Sequence, residues 1–481
     1  MEVNGSTEAA IPVNQPASNI TEGDASAELQ ERFHYKQELK RGLGAWQLTG
    51  YGVNYMGVLG GGALVGVLMQ MTGGNATLPY IFGMIVLFIV AGSYAALVPR
   101  FPLAGSAYNY VSKGLNPYVG FLTGWVIVLD YVLFPSVALY FDASYLVALV
   151  PSLPLKPFIL VFAAVTLILN LIGIDVVAKL GLWLLAIVVG VLLILIVAWG
   201  QYIVAHHGAG ALLSAHAAFS VNGFHGLSQA VVLTLVNIVG FDALTTLVEE
   251  SRHPKKDIPR AMYGTIAVGV TCFIIAGYMS SLVLSIGAKP GYLNNPNLIN
   301  SPFYLASMKA QGQWLATLTT VGFEIMSVTF GMVATAAASR LLFGMGRDRL
   351  LPKAFFGAIN KRFRTPHWNI LFITAIVTSI ALWVDIVRIF SYINFGAVTA
   401  FFMVQITAMW VFRKRPVELG ALHYGLRYQL LPLVAIGVLI WLYTSLQASA
   451  WTIGPIFLGV GVIYLAAATK GFRKLPPELE V

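Results

Sequence analysis

Two apolar stretches of the chain carry residues that a lipid-crossing helix has little use for. In VNIVGFDALTTLVEE (Val236 to Glu250), an otherwise apolar run is interrupted by Gly240, Phe241 and Asp242 and ends in two acids. In YMGVLGGGALVG (Tyr55 to Gly66), Gly57, Gly60, Gly61 and Gly62 each make an unbroken α-helix about 1 kcal/mol less favourable than alanine would. Within lipid, a broken helix is tolerated where it lines a protein-enclosed cavity. There main-chain groups freed from the helix can line a substrate site. Four acids extend this chemistry. Asp130 lies about 11 residues into its apolar segment, some ~16 Å of helical rise, and Asp242 sits at the second interruption, so both fall near mid-depth. Asp142 and Glu324 fall nearer one surface, where they would line an access vestibule. Four acids with few bases along the path favour a cation over an anion. The competing uses are close helix packing for the glycines and capping of backbone amides at irregular turns for Asp130 and Asp242.

The elements that must position these residues follow from composition. The 481 residues are 58% hydrophobic and only 10% charged, against about a quarter charged in soluble proteins, so the chain belongs in a lipid bilayer. A ~30 Å hydrocarbon layer takes about 20 helical residues. Twelve segments fit: 44–69, 78–98, 119–150, 157–174, 176–205, 227–249, 262–286, 315–342, 368–387, 389–410, 430–445 and 451–468. The glycine-rich interruption lies in the first and the GFD interruption in the sixth, corresponding positions if the first ten spans divide five and five. That is the pattern of an inverted-repeat transporter with its site at the bilayer midplane. The expected division is a disordered cytoplasmic tail over 1–42, a first five-helix repeat over 43–205, a second over 206–412, and two peripheral helices with a cytoplasmic tail over 413–481. With both ends cytoplasmic, only Lys156, Lys289, Lys309 and Arg388 of the 29 basic residues fall outside, a strong positive-inside bias. The expected location is the plasma (inner) membrane, crossed many times. The +9 charge then faces anionic lipid and calls for no nucleic acid.

Other chemistry is thin. Cys272 is the single cysteine and lies in an apolar run, so no intrachain disulfide or CxxC metal site forms. His206, His207, His216 and His225 share one loop, but their irregular spacing reads as a solvated loop rather than a zinc site. No GxxxxGK phosphate loop, GxSxG elbow or HExxH motif is present, so neither ATP hydrolysis nor another enzymatic reaction is expected, and no metal or cofactor. Lacking also a TVGYG-like filter, the chain is a poor candidate for a channel or a non-transporting receptor.

Longer blocks carry a family resemblance. GFDALTTLVEESRHPKKDIPRA (Gly240 to Ala261) resembles the sixth-helix signature of the amino acid, polyamine and organocation transporters. FPLAGSAYNYVSKGLNPYVGFLTGWVIVLDY (Phe101 to Tyr131) resembles their second loop and third helix. SRLLFGMGRDRLLPKAF (Ser339 to Phe355) with RTPHWNI (Arg364 to Ile370) is similar to the loop between helices eight and nine, and INFGAVTAF (Ile393 to Phe401) to the tenth helix. LDY together with INFGA resembles bacterial putrescine-importer-like members. The resemblance implies a LeuT-like fold, all-α, of two inverted five-helix repeats plus two peripheral helices, with helices one and six broken. It implies a secondary transporter of a small amine-bearing solute, an amino acid or a polyamine, working by alternating access. A proton-coupled importer is the first reading and a substrate/product exchanger the alternative. The implied substrate contacts are Tyr55, Gly57, Val58, Gly60, Gly61 and Gly62 on helix one, Asp130 and Tyr131 on helix three, Val239, Gly240, Phe241 and Asp242 on helix six, and Asn394 on helix ten. Phe241 would be the aromatic that closes over substrate. Two positions depart from the pattern. Ala63 stands where putrescine-importer-like sequences tend to have an acid, and Val188 where some members place a proton-carrying lysine. The expected coupling ion is H+, with Asp130 or Asp242 as its carrier, because an enclosed carboxyl can exchange a proton near neutral pH.

Overall fold

The structure, a computed structural model, describes residues 41–103, 105–152, 154–172, 174–213, 223–289, 291–294, 299–360, 363, 365–414 and 421–473. The expected 1–42 tail, His216, Lys361, Arg362, Arg364 and Lys474 fall outside those residues, apart from positions 41 and 42 of the tail.

Among the described residues the architecture is all helix, apart from one isolated parallel bridge between Leu43 and Ser251. In chain order the main helices are α1 (Ala45–Met56), α2 (Gly61–Thr72), α3 (Thr77–Leu97), α4 (Ala107–Gly114), α5 (Pro117–Leu149), α6 (Leu155–Ile172), α7 (Ile174–His207), α8 (Phe224–Asn237), α9 (Pro254–Ser285), α10 (Pro302–Gln311), α11 (Gln313–Arg347), α12 (His367–Trp383), α13 (Ile386–Val411), α14 (Leu431–Thr444) and α15 (Ala448–Ala468). Their starts carry local signals. Asn116 accepts from the Tyr118 and Val119 amides at 2.9 and 3.3 Å, with Pro117 in the first turn of α5. Asp385 does the same for Val387 and Arg388 at 2.9 and 3.4 Å. Pro254 and Pro302 open α9 and α10.

Nine helical stretches among the described residues are long and apolar enough to cross a membrane, α14 being counted with the helical turn before it as Leu426–Thr444, and ten spans result if the bent pair α1 and α2 counts as one. The expectation of twelve is not reached for two reasons. The sixth span is split, its longest regular piece being the 14 residues of α8. The ninth, α12, has 17 residues, ~26 Å of rise and short of a ~30 Å layer. The boundary drawn between spans nine and ten at 387–389 also shifts, because the Asp385 cap starts α13 at Ile386.

Burial sorts the helices into a centre and a rim. The apolar stretches of α5, α11 and α13 are 83%, 78% and 72% buried, and those of α6 and α15 only 22%. Helix α5 packs along both α11 and α13, and α9 packs on α1 and α3. Exposed tryptophans sit at helix ends, including Trp46, Trp314, Trp383, Trp410 and Trp451, as in the aromatic belts of membrane proteins. The centre therefore holds the helices that carry Asp130, Asp142, Glu324 and Asn394.

Candidate functional site

Helix one breaks at Gly57–Gly60, and α1 and α2 meet there at 48°. Gly57 has φ +68, which would strain any residue with a Cβ by roughly 1–2 kcal/mol. The carbonyls loosened by the break are gathered by side chains from elsewhere. Asn237 Nδ2 donates to Gly60 O at 3.0 Å, Tyr80 Oη to Gly61 O at 2.8 Å and Tyr145 Oη to Gly62 O at 3.4 Å. The amides of Val58 and Leu59 have no backbone partner among the described residues.

Helix six breaks beside it. After α8, residues 238–242 are not helical, and the chain resumes as a 3₁₀ helix, Ala243–Glu250. At Gly240 the two interrupted segments nearly touch: a Cβ there would lie 3.0 Å from Gly52 O and 3.0 Å from Met56 Cγ. Asp242 stands at the N-terminus of the 3₁₀ helix with the Gly240 and Ala243 amides close to its carboxylate, a placement that suits a negative charge.

Beside the helix-one break lies a cavity of about 20 Å³. Met56, Gly57, Gly60 and Ala63 line it from helix one, Phe134, Val137, Ala138 and Phe141 from α5, Asn237 from α8, and Phe323, Met326, Ser327 and Phe330 from α11. Its wall is almost wholly apolar. The space suits about one water, against ~300–1,000 Å³ for pockets that take drug-sized ligands, so admitting a solute requires the walls to move. A second groove, about 330 Å³ between Phe88, Ile89, Tyr263, Leu426, Arg427 and Leu431, involves neither break.

Asp130, Tyr131, Asp242 and Tyr55 come together near this cavity. Tyr131 Oη donates to Asp242 Oδ2 at 2.9 Å and bonds Ser106 Oγ at 3.1 Å. Asp130 is fully buried, lies in the field of Asp242, and neither of its oxygens has a hydrogen-bond partner. A carboxyl so placed has to be neutralised by a proton or a cation. Tyr55 stacks on Phe134 at 5.2 Å, with Phe330 edge-on at 6.2 Å, and its hydroxyl is also unpartnered. Val58 and Val239 are buried beside the breaks. Phe241 is fully buried but does not line the cavity; its ring packs against Tyr94 at 5.5 Å and Phe401 at 5.8 Å. Asn394 is buried in α13 with neither amide atom bonded. Asp142 and Glu324, on the packed helices α5 and α11, lie within each other's electrostatic field.

The two acids that end the sixth span have partners that the sequence did not disclose. Glu250 pairs with Arg340 at 2.6 Å and Glu249 with Arg347 at 3.3 Å, both bases on α11 rather than in the adjoining SRHPKKDIPR stretch. The Gly42 and Leu43 amides donate to Glu250 O at 3.0 and 3.1 Å. Tyr51 Oη donates to Val333 O at 2.7 Å. Together these bonds tie the start of helix one and the end of span six to α11.

Sequence reasoning also missed Asn237, Phe134, Phe330 and Ser327. Asn237 had a usable signal, a polar residue three positions ahead of the GFD interruption. The phenylalanines had none, since an apolar side chain in an apolar span looks the same whether it faces a cavity or a neighbour.

A sequence model described as "Amino acid permease" matches residues 43–469. The chain is 31% identical over 450 residues to the "Low-affinity putrescine importer PlaP" of Escherichia coli (strain K12), covering 92% of this chain and 97% of the relative. It is 23% identical to the "Branched-chain amino acid permease BcaP" of Bacillus subtilis (strain 168), covering 79% and 83%. In fold it is similar to MhsT, solved in complex with L-phenylalanine, with a TM-score of 0.57 at 15% identity over 83% of this chain and 98% of that one.

Proposed function

From the premise that this chain belongs to the amino acid permease family, and is thus a LeuT-like multi-pass transporter and not an enzyme, we propose that it is a secondary active importer. Its cargo in this reading is an amino acid or a small organic amine such as a polyamine, carried by alternating access and driven by protons. The observation that carries the reading is the cavity lined by residues of both interrupted helices, with the unpartnered Asp130 one helical turn from its wall residue Phe134. Freed main-chain groups at Gly57–Gly62 and Val239–Asp242 would orient the solute. Asp130 and Asp242 would exchange the coupling proton, and Tyr55, Tyr131 and Asn394 would complete the polar wall. The likeness to a putrescine importer and to a branched-chain amino acid permease supports an amine-bearing cargo of modest size.

In this reading 43–205 and 206–412 form the two repeats, 413–481 the peripheral pair, and both termini are cytoplasmic. The Arg340–Glu250 pair then closes the cytoplasmic side. Uptake of labelled putrescine and leucine into proteoliposomes under an imposed pH gradient tests it. Accumulation that follows the gradient is expected. Counterflow indifferent to the gradient would identify an exchanger instead, and binding without flux would remove transport altogether.

A further inference from the structure

Asp142 and Glu324 play no part in the coupling just described, yet among the described residues they are two neighbouring acids with no basic partner. Asp142 is 1% exposed. All four carboxylate oxygens of the two residues are closed off from solvent and have no hydrogen-bond partner. Among the described residues no lysine, arginine or histidine forms an ion pair with either. Two neighbouring carboxylates in such a place cannot both remain charged unless a cation lies between them.

Their position ties them to the cavity. Each follows a phenylalanine of its wall, Phe141 and Phe323, and Asp142 stands one helical turn beyond Ala138, another wall residue. One turn beyond Glu324 is Ser327, which is itself part of the wall, is 1% exposed, and has an unpartnered hydroxyl beside Asp142. A third buried polar group thus opens on the same spot from the cavity side. The 16 positions from Glu324 to Arg340 on α11 correspond to ~24 Å of rise. The carboxylate pair therefore sits at the end of the cavity away from the Arg340–Glu250 closure. On α5, Asp142 lies 12 positions from Asp130, ~18 Å away, so the two acidic pairs are separate stations on either side of the apolar wall.

We propose that Asp142, Glu324 and Ser327 form a seat for an alkylammonium group, which makes this permease select cationic amines whose aliphatic chain lies in the apolar cavity. The seat would take a terminal ammonium of a linear diamine, with the two carboxylates supplying charge and the Ser327 hydroxyl accepting one N–H. A cargo without a terminal ammonium, such as leucine, would leave the pair unused. The inference rests on the transporter reading and deepens it by naming the substrate class.

The test compares putrescine with leucine in purified, reconstituted wild type, Asp142→Asn, Glu324→Gln and Glu324→Asp, with melting temperature as the check on folding. The half-saturating putrescine concentration is expected to rise roughly 10- to 100-fold in the Asn and Gln variants, the usual worth of a hydrogen bond to a charged group. Leucine uptake or binding should change less than about twofold, and Glu324→Asp should recover much of the putrescine affinity. Putrescine affinity unchanged in both neutral variants overturns the proposal. So does an equal loss for both cargoes together with a shifted pH profile, which would make the pair a proton carrier. If wild type takes leucine but not putrescine, this inference fails while the transporter reading stands. If wild type moves neither compound, the transporter reading fails first.

Discussion

At the scale of single residues, the interruptions that the glycines announced are held open by particular side chains. Gly57 combines a left-handed φ of +68 with Met326 Sδ only 3.0 Å from where a Cβ would stand. Gly57→Ala should therefore lower the melting temperature, by the equivalent of ~1–2 kcal/mol, and abolish most uptake; normal stability and flux would show that the break can form without glycine. Asp130→Asn removes a buried, unpartnered carboxyl. It should leave the melting temperature unchanged or higher, because no hydrogen bond or ion pair is lost, while cutting proton-driven uptake at least tenfold. Undiminished accumulation would take Asp130 out of the coupling path. Phe241 separates a gating role from a packing role. With its ring wedged between Tyr94 and Phe401, Phe241→Ala should cost stability as well as flux, on the order of the 3–5 kcal/mol of a buried Phe→Ala change. A melting temperature equal to wild type with uptake lost would instead mean that the ring acts on the solute alone.

At the scale of elements, spans one and six are broken where the glycine run and GFD stand in the sequence. The shape of the second half of span six was not legible there. Ala243–Glu250 is a 3₁₀ helix whose final acids reach across to α11, and nothing in the run ALTTLVEE specifies which of many arginines it will meet. The Arg340–Glu250 pair is buried on both sides, so removing one partner strands a charge, typically at ~3–5 kcal/mol. Arg340→Met should loosen the closed end. Amide hydrogen exchange across Tyr51–Met56 is expected to speed up markedly, because Tyr51 is held by the same helix through Val333 O. Exchange as slow as in wild type would show that closure does not depend on the pair.

At the scale of the whole molecule, the exposed surface and the distribution of basic residues make one sidedness claim. Lys156 lies over the Trp383 ring at 4.0 Å, where the start of α6 meets the end of α12. Arg413 packs on Trp410 just past the end of α13, at 4.2 Å. In a Cys272→Ser background, Lys156→Cys should react with a membrane-impermeant maleimide added to intact cells, and Arg413→Cys only after lysis. The reverse pattern would invert the topology. What the sequence determined by itself was the bilayer, the order of the spans and the positions of the two interruptions. These depend on local hydropathy and on backbone freedom, properties that a short segment carries with it wherever it is placed. The tertiary structure alone decided which aromatic rings face the cavity, which arginines pair with Glu249 and Glu250, and that Asp142 lies near Glu324. Each of those contacts joins residues far apart in the chain whose meeting is set by how α5 and α11 pack, and no run of neighbouring residues encodes it.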